Sequence, residues 1–579
     1  MYRQLFVTAA FTAVCLQANS QTLAKEYKST SLGNPISSSV FCADPTAIDY
    51  KGRLYVYGSN DHQQFIKNKK TGNNSYGDIK SIVVFSTDDM VNWTFHGTID
   101  VAKICSSWNK SPWYRGFGVS WAPSVVWRTT EDGTDEFFLY FCNSSHGIGV
   151  LKASSPLGPW KSPLGELMIH RDTPGATPCS AVFDPGVTID DNGVGWISFG
   201  GLDPVDGGNS LNPKNARIAK LKPSMTAIDG KPVRIAAPYH FEANELNVIN
   251  GKFVYTYCSN WAERKDADWN SYCKEYGVSQ PKPGACTMCY MVSDNPMDAS
   301  SWVYKGVYGE HPGMPSPNNH SHLHKFKGNY YYIYHWGALM KKMKDAGVLD
   351  GSCDGFRSIC VNKATVSESS QKINSVVIDS VGVSAIGSVN PYQLQEAEMM
   401  ATSAGISYED FTNITRNTRI STLGNDASQN MQVKMAEGAW IQVRRVNFGS
   451  AGAAKFTVRA KGEGTLELRL SRKVAKPVAT IEISSDEMTD FTVDVDPAKI
   501  KDQKTVYLVL SSGKGIYFDA WQATEAQTEG IGSVESHNAI NRQRYDLSGR
   551  RLSDTEQHRG IVIEQYTDEN GKKHIRKTF

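Results

Sequence analysis

From residue 42 to residue 340 the chain repeats one arrangement of polar and apolar positions five times. Each copy opens on a polar or aromatic residue, runs through a short strand, turns at Gly, Asp or Asn, and returns as a strand crowded with aromatics. The first copy is Cys42-Ala43-Asp44-Pro45-Thr46-Ala47-Ile48, a turn at Lys51-Gly52, and Arg53-Leu54-Tyr55-Val56-Tyr57. The second opens at Trp121, turns at Asp132-Gly133 and returns over 137–141. The third opens at Asp184, turns at Asp191-Asn192-Gly193 and returns over 195–199. The fourth opens at Glu242 and turns at Asn250-Gly251; the fifth opens at His320, turns at Gly328-Asn329 and returns as Tyr330-Tyr331-Tyr332-Ile333-Tyr334. Apolar runs of this length between Gly or Asn turns are hairpin signals.

A third strand is expected after each hairpin, over 81–86, 147–153, 216–221, 287–292 and 356–363. Trp93, Trp160 and Trp302 follow three of them and are placed to cap the outer part of each unit. Five small antiparallel sheets in tandem predict radial repetition, an all-β five-bladed β-propeller over residues 33–385. An ordinary sandwich of hairpins is the alternative, and the residues that open the inner strands argue against it. In a propeller those openings converge on one end of a central channel. Asp44, Trp121, Asp184, Glu242 and His320 are then expected around a common pocket.

Beyond a Ser- and Val-rich stretch at 367–390, the pattern changes to plain alternation, as in 440–443, 454–459, 465–470 and 505–510. Period two marks a half-buried antiparallel sheet, so a β-sandwich (jelly-roll-like) module is expected over 390–525. Residues 538–579 form a polar tail with a basic end.

Composition narrows the function. A formal net charge of +2 with 21% charged residues gives no electrostatic case for a nucleic-acid partner. Aromatic residues make up 11%, which suits both β packing and binding to the flat faces of sugars. Arg3, an apolar run over 5–16 and Ala18-Asn19-Ser20 read as a signal peptide over residues 1–20, too short to span a bilayer. A lipoprotein leader using Cys15 is the alternative. Either places the protein outside the cytoplasm, as a secreted, periplasmic or cell-surface chain. Of 11 Cys, ten lie beyond that leader, where disulfides are permitted. Cys286-Thr287-Met288-Cys289 has the gap of a zinc or redox pair, but it overlaps an expected strand and has no second pair. Structural thiols, or a disulfide to Cys258 or Cys273, are the simpler reading.

Two carboxyl groups facing each other across a pocket, one protonated and one ionised, are the minimum equipment for cleaving an acetal. A third carboxylate nearby raises the acid's pKa by like-charge repulsion. Asp44, Asp184 and Glu242 supply such a trio; a calcium site built from the same acids is the alternative. Trp121 offers a stacking face, Arg357 a charged donor, and His320 a donor or metal ligand.

The ordered series Ala43-Asp44-Pro45, Trp121-Ala122-Pro123, Phe183-Asp184-Pro185, Phe241-Glu242-Ala243, Asn319-His320 and Phe356-Arg357-Ser358 resembles the signatures of glycoside hydrolase family 43. The resemblance implies an inverting mechanism with Asp44 as general base, Glu242 as general acid and Asp184 as modulator of its pKa and position. It places Trp121, Arg357 and His320 at the sugar, with His320 also a ligand for a metal in the channel. Gln395-Glu396-Ala397-Glu398 and Phe518-Asp519-Ala520-Trp521 resemble the ends of a family 6 carbohydrate-binding module, which implies a structural calcium at Glu396, Glu398 and Asp519. The run Tyr545-Asp546-Leu547-Ser548-Gly549-Arg550-Arg551 with Gly571-Lys572-Lys573 resembles a secretion-sorting tail. Together these imply a monomeric, exported enzyme, without an organic cofactor, that removes α-L-arabinofuranosyl branches from arabinoxylan. A β-xylosidase on the same scaffold and a non-catalytic glycan-binding surface protein are the alternatives.

Overall fold

The computed structural model describes residues 22–69, 71–111, 115–313, 318–407, 431–527, 540–553, 561–567 and 573–578. The signal-peptide reading at 1–20, Cys15 included, lies outside them. The five hairpins form as the pattern predicts, and each grows into an antiparallel sheet in chain order. Blade one is Ala43–Tyr50, Arg53–Ser59, Ile82–Thr87 and Trp93–Ile99; blade two is Trp121–Thr129, Asp135–Cys142, Gly147–Ala153 and Ile169–His170. Blade three is Gly186–Ile189, Gly195–Phe199, Arg217–Leu221 and Ile228–Arg234. Blade four is His240–Ile249, Lys252–Ser259, Met288–Ser293 and Val303–Gly309, and blade five is Ser321–Phe326, Asn329–Trp336 and Ser358–Ala364. The inner strand of each blade packs against that of the next, and the fifth against the first, so the ring is closed.

The blades are the layers of the core, which explains why their second strands are aromatic at successive positions. Phe137, Leu139 and Phe141 face blade one, packing with Tyr55, Tyr57 and Val84. Phe138 and Tyr140, on the opposite face of the same strand, pack with Val187, Ile197 and Ala219 of blade three. A strand buried on both faces reads as a continuous apolar run rather than an alternating one. The helices Asp61–Lys67, Val101–Ile104, Asp266–Tyr276 and Ala338–Asp345, which the strand pattern does not announce, sit in connections between these strands.

Two segments outside the blades help to close the ring. The stretch 367–390 runs along several blades: the Val376 N–H donates to the Tyr308 carbonyl and the Ile373 N–H to Tyr290 Oη in blade four, Asn362 Nδ2 of blade five donates to Asp379, and the Ile386 N–H donates to the Asp89 carbonyl in blade one. The open edge of blade five is taken by the polar lead-in, which also bonds to 380–381. Ile36 N–H donates to the Ile359 carbonyl, Cys42 N–H donates to the Arg357 carbonyl, and the Asn34 side chain bonds the Val361 backbone. The lead-in also straps the module: Lys28 Nζ donates to Ala401 O at 2.7 Å and Trp440 Nε1 to Ala24 O at 3.1 Å.

In the module, the short alternating runs prove to be parts of much longer strands, Val433–Asn447, Ala453–Leu470 and Gln503–Glu525. They bend at Gly462, Gly513 and Gly515, whose φ angles of 115°, 115° and 121° are open only to glycine, beside breaks in register. A Cβ on Gly513 would lie 2.3 Å from the Gly464 Cα. The bends fold the sheet over itself: Phe456 and Val458 before Gly462 and Leu466 and Leu468 after it enter one core. That core continues into blades one and five through Val83, Phe85, Ile333 and Ile359. Met399–Met400 pairs with Trp93–Ile99, adding a fifth strand to blade one. The C-terminal segment is a small four-stranded sheet of Ile540–Tyr545, Arg551–Leu552, Val562–Thr567 and Lys573–Thr578.

Candidate active site

The inner strands of blades one, two and four start with a break from regular pairing, and all four of the first inner strands carry a non-glycine residue in the left-handed region at or near their start. Register shifts lie between Ala43 and Thr46, between Trp121 and Ser124, and between Glu242 and Glu245. The residues at positive φ are Asp44 (48°), Ala122 (37°), Asp184 (47°) and Ala243 (60°). Bulges re-aim side chains, and such strained backbone collects at functional sites. The equivalence is offset by one residue from the sequence reading. Asp44 and Asp184 match Ala122 and Ala243, while Trp121 and Glu242 stand one residue earlier. The two aspartates are therefore turned into the ring and nearly buried, whereas Glu242 and Trp121 are half-buried at the mouth.

All six pocket residues expected from the sequence, Asp44, Trp121, Asp184, Glu242, His320 and Arg357, line one cavity of about 300 Å³. Tyr76, Ala122, Phe183 and Leu202 complete much of its wall. Asp44 accepts from Ser59 Oγ at 2.7 Å and from Arg357 Nη1 at 2.8 Å, with His320 Nδ1 3.7 Å away. Burial alone would raise its pKa, but the Arg357 guanidinium and the His335 and His320 rings outweigh burial and hold Asp44 well below the usual carboxylate range. His335 accepts the Asp44 amide proton at Nδ1 (3.2 Å), and its Nε2–H donates to Asn318 O at 3.3 Å. Burial lowers the pKa of that ring against the pull of Asp44.

Asp184 is held differently. The Ala243 amide donates to its Oδ2 at 2.8 Å and the Cys142 thiol to its Oδ1 at 3.4 Å. Burial raises its pKa against the pull of His320. Since Ala243 follows Glu242, Asp184 grips the backbone of the residue whose carboxyl it faces. Burial first, then the Asp184 charge, push Glu242 well above the ordinary glutamate range. Two acids with opposite shifts thus share one cavity, the pattern that separates a proton acceptor from a proton donor.

The model of glycosyl hydrolases family 43 matches residues 32–368, and that of carbohydrate binding module (family 6) matches 396–525. The chain belongs to glycosyl hydrolase family 43. This family 43 hydrolase is 34% identical over 520 residues to an arabinoxylan arabinofuranohydrolase of Paenibacillus polymyxa, covering 87% of this chain and 76% of that one. It is 33% identical over 522 residues to the arabinoxylan arabinofuranohydrolase of Bacillus subtilis (strain 168), covering 88% and 95%. The crystal structure of a family 43 arabinoxylan arabinofuranohydrolase from Bacillus subtilis in complex with cellotetraose superposes with a TM-score of 0.74 at 33% identity, over 87% of this chain and 99% of that one.

Four parts of the family 43 site escaped the sequence reading. Asp61, fully buried at the start of helix Asp61–Lys67, receives three bonds from Arg357: the backbone N–H (2.9 Å), Nε (3.0 Å) and Nη2 (2.9 Å). Tyr76 lies under the guanidinium, its ring 5.1 Å from Arg357 Cζ, and its carbonyl accepts from Trp121 Nε1 at 2.9 Å. Cys142 and His335 are the others. A signal was present: Ser59, Cys142 and His335 are polar or small residues at the ends of aromatic strands, next to the openings of the inner ones.

Neither metal expectation meets a ready-made site: among the described residues no three His, Cys, Asp or Glu side chains are grouped to hold an ion. His320 shares Asp44 with Arg357, whose positive charge disfavours a further cation there. Glu396, Glu398 and Asp519 are all buried where Gln395–Glu396 pairs with the last long strand, and Arg459 Nε stands 3.4 Å from Asp519. The zinc or redox reading of the Cys286–Cys289 pair is corrected: the two thiols enter different core clusters, on opposite sides of blade four.

Proposed function

We propose that the protein is an exported, exo-acting α-L-arabinofuranosidase that removes arabinofuranosyl side chains from arabinoxylan with inversion. The observation behind this reading is the pairing, in one cavity sized for a single sugar unit, of an ionised Asp44 and a proton-bearing Glu242. Asp44, ionised throughout the working pH range, orients a water against the anomeric carbon and faces the positive charge that develops on the sugar ring. Glu242, nearer the mouth, gives its proton to the departing glycosidic oxygen. Asp184 keeps that proton on Glu242 by like-charge repulsion and fixes the acid through the Ala243 amide. Arg357 and Trp121 line the sugar's place, with His320 as a donor beside Asp44. The relatives named for arabinoxylan support that polymer as substrate, and the family 6 module supports a polymeric rather than a small target.

Wild type incubated with arabinoxylan should release arabinose, first detected by proton NMR as the inverted β anomer, and Glu242→Gln should release little. Xylose as the main product would instead favour a β-xylosidase; polysaccharide binding without turnover would favour the glycan-binding alternative. The same reading keeps a calcium ion at Glu396, Glu398 and Asp519, on the resemblance of these positions to the family 6 module and on the fit of carboxylate oxygens to a hard cation. Chelation should then lower the melting temperature, and calcium should restore it. Export through the leader, assisted by the C-terminal segment, is tested by deleting each and locating the protein; a monomer is tested by light scattering.

A further inference from the structure

Behind Glu242 lie two thiols that the hydrolytic step does not use. Cys258 is the direct strand partner of Glu242, and Cys286 sits just before the third strand of blade four, at a φ of 53°. Their Sγ atoms are 3.6 Å apart, and both residues are fully buried. Among the described residues no other two sulfurs are within bonding reach of each other. Cys142 is turned to Asp184, Cys179 to the Ala181 and Asn215 carbonyls, Cys289 to Tyr304 and Cys360 to the Ser358 carbonyl. Cys286 is also anchored on both sides, its N–H to Asn260 O and its carbonyl to Asn319 Nδ2 at 3.1 Å.

We propose that Cys258 and Cys286 are a site of disulfide formation, and that this bond changes the charge standing behind Glu242. The second half rests on the reading of Glu242 as the proton donor. The oxidant is a disulfide of low molecular weight, or the disulfide of an exchange protein met during folding. The Cys286 thiolate attacks one sulfur of that disulfide and expels the other as a thiolate. Cys258, its proton passing to the expelled thiolate, then attacks Cys286 Sγ and expels the second. Two cysteine thiols lose two electrons, and one disulfide becomes two thiols. The sulfurs need approach each other by only about 1.5 Å to reach bonding distance.

The electrostatics of the pair fit this order of attack. The thiol of Cys258, against the opposing effect of burial and helped by His311, holds Cys286 down to about 6, while burial raises Cys258 well above the usual thiol range. Cys286 is thus the sulfur of the pair that ionises first. The charged groups facing Glu242 are Asp184, Cys286 and Asp44, which raise it, and Arg357, which lowers it. Oxidation removes Cys286 from the groups that raise it. Glu242 then loses its proton at lower pH, and the alkaline limb of kcat/KM moves down.

The test uses the full-length protein in three states: reduced with dithiothreitol, treated while folded with an oxidised/reduced glutathione buffer, and refolded in that buffer. Each is denatured, alkylated with N-ethylmaleimide and mapped by mass spectrometry. The expected result is a linked peptide pair containing Cys258 and Cys286 in at least one oxidised state, two fewer alkylations, and recovery of both thiols with dithiothreitol. Both thiols alkylated after both oxidations, or a link of either to any other cysteine, overturns the proposal. On arabinoxylan the oxidised form should show its alkaline limb lowered by about one pH unit. Cys258→Ser, which cannot form the bond, should show one profile whatever the redox buffer. A linked pair with an unmoved limb overturns the electrostatic half. The mass measurement does not depend on turnover, so failure of the hydrolase reading leaves the disulfide result readable.

Discussion

Asp61→Asn tests whether the buried charge network holds the sugar site together. Arg357 is all but excluded from solvent and is balanced by Asp44 on one side and Asp61 on the other. Asparagine keeps the shape of Asp61 but replaces one acceptor oxygen with an amide nitrogen. At least one of the three bonds to Arg357 then becomes a donor facing a donor, and half of the compensating charge is gone. Breaking a buried pair by removing one partner costs about 3–5 kcal/mol. The shift should also be felt at the sugar, because Arg357 is free to turn fully toward Asp44; misplacement by about 1 Å costs on the order of 100-fold in rate. Denaturant unfolding of wild type and variant, with kcat/KM on arabinoxylan, measures both effects. A variant within twofold of wild type in rate and as stable would refute the idea that Asp61 positions Arg357. Loss of stability with an unchanged rate would confine Asp61 to a structural role.

Three further outcomes follow from the same coordinates. Asp184→Asn removes a negative charge beside Glu242, so the alkaline limb of the pH–rate profile should move to lower pH; an unmoved limb would remove Asp184 from control of the acid. Lys28 is lowered from 10.5 to about 7, by burial first and Arg444 second, so the unfolded chain binds this proton more readily and stability from this group rises as pH climbs from about 7 to 10.5. Lys28→Met should therefore be more stable than wild type near pH 7 and lose that rise in pH-dependent unfolding; a marked loss of stability would mean the bond to Ala401 O dominates. In Gly58→Ala the new Cβ would meet Ala43 O at 2.4 Å and Cys42 Sγ at 2.6 Å, next to Asp44. A stability loss of about 1–3 kcal/mol with lowered kcat is expected, and an unperturbed enzyme would show that the opening of blade one gives way freely.

The fold was legible because its repeat is written in local chemistry: a turn residue, then aromatics buried on both faces of one strand. The pocket was legible for the same reason, since the ring brings Asp44, Asp184 and Glu242 together whatever their separation in sequence. The one-residue offset was legible in part, in hindsight of the prolines. Asp44-Pro45, Ala122-Pro123 and Asp184-Pro185 align on proline, which sets Trp121 one position early; Ala243 is followed by Asn244, so the offset of Glu242 carried no such mark. Asp61 was not legible, because it opens a helix inserted between strands, and its partner Arg357 is 296 residues away. The long module strands were missed because each glycine bend, as at Gly462, reads as a turn between two short strands.

The hydrogen bonds that seat Met399–Met400 on blade one give the family 6 module a fixed bearing rather than a swivel. A tether that cannot reorient multiplies affinity only for polymers whose two contact points match its span. On the proposed reading, a polymer that reaches both the cavity and the module at that one spacing would gain the full avidity and a shorter fragment none, so the stiffness of the joint would itself select for chain length.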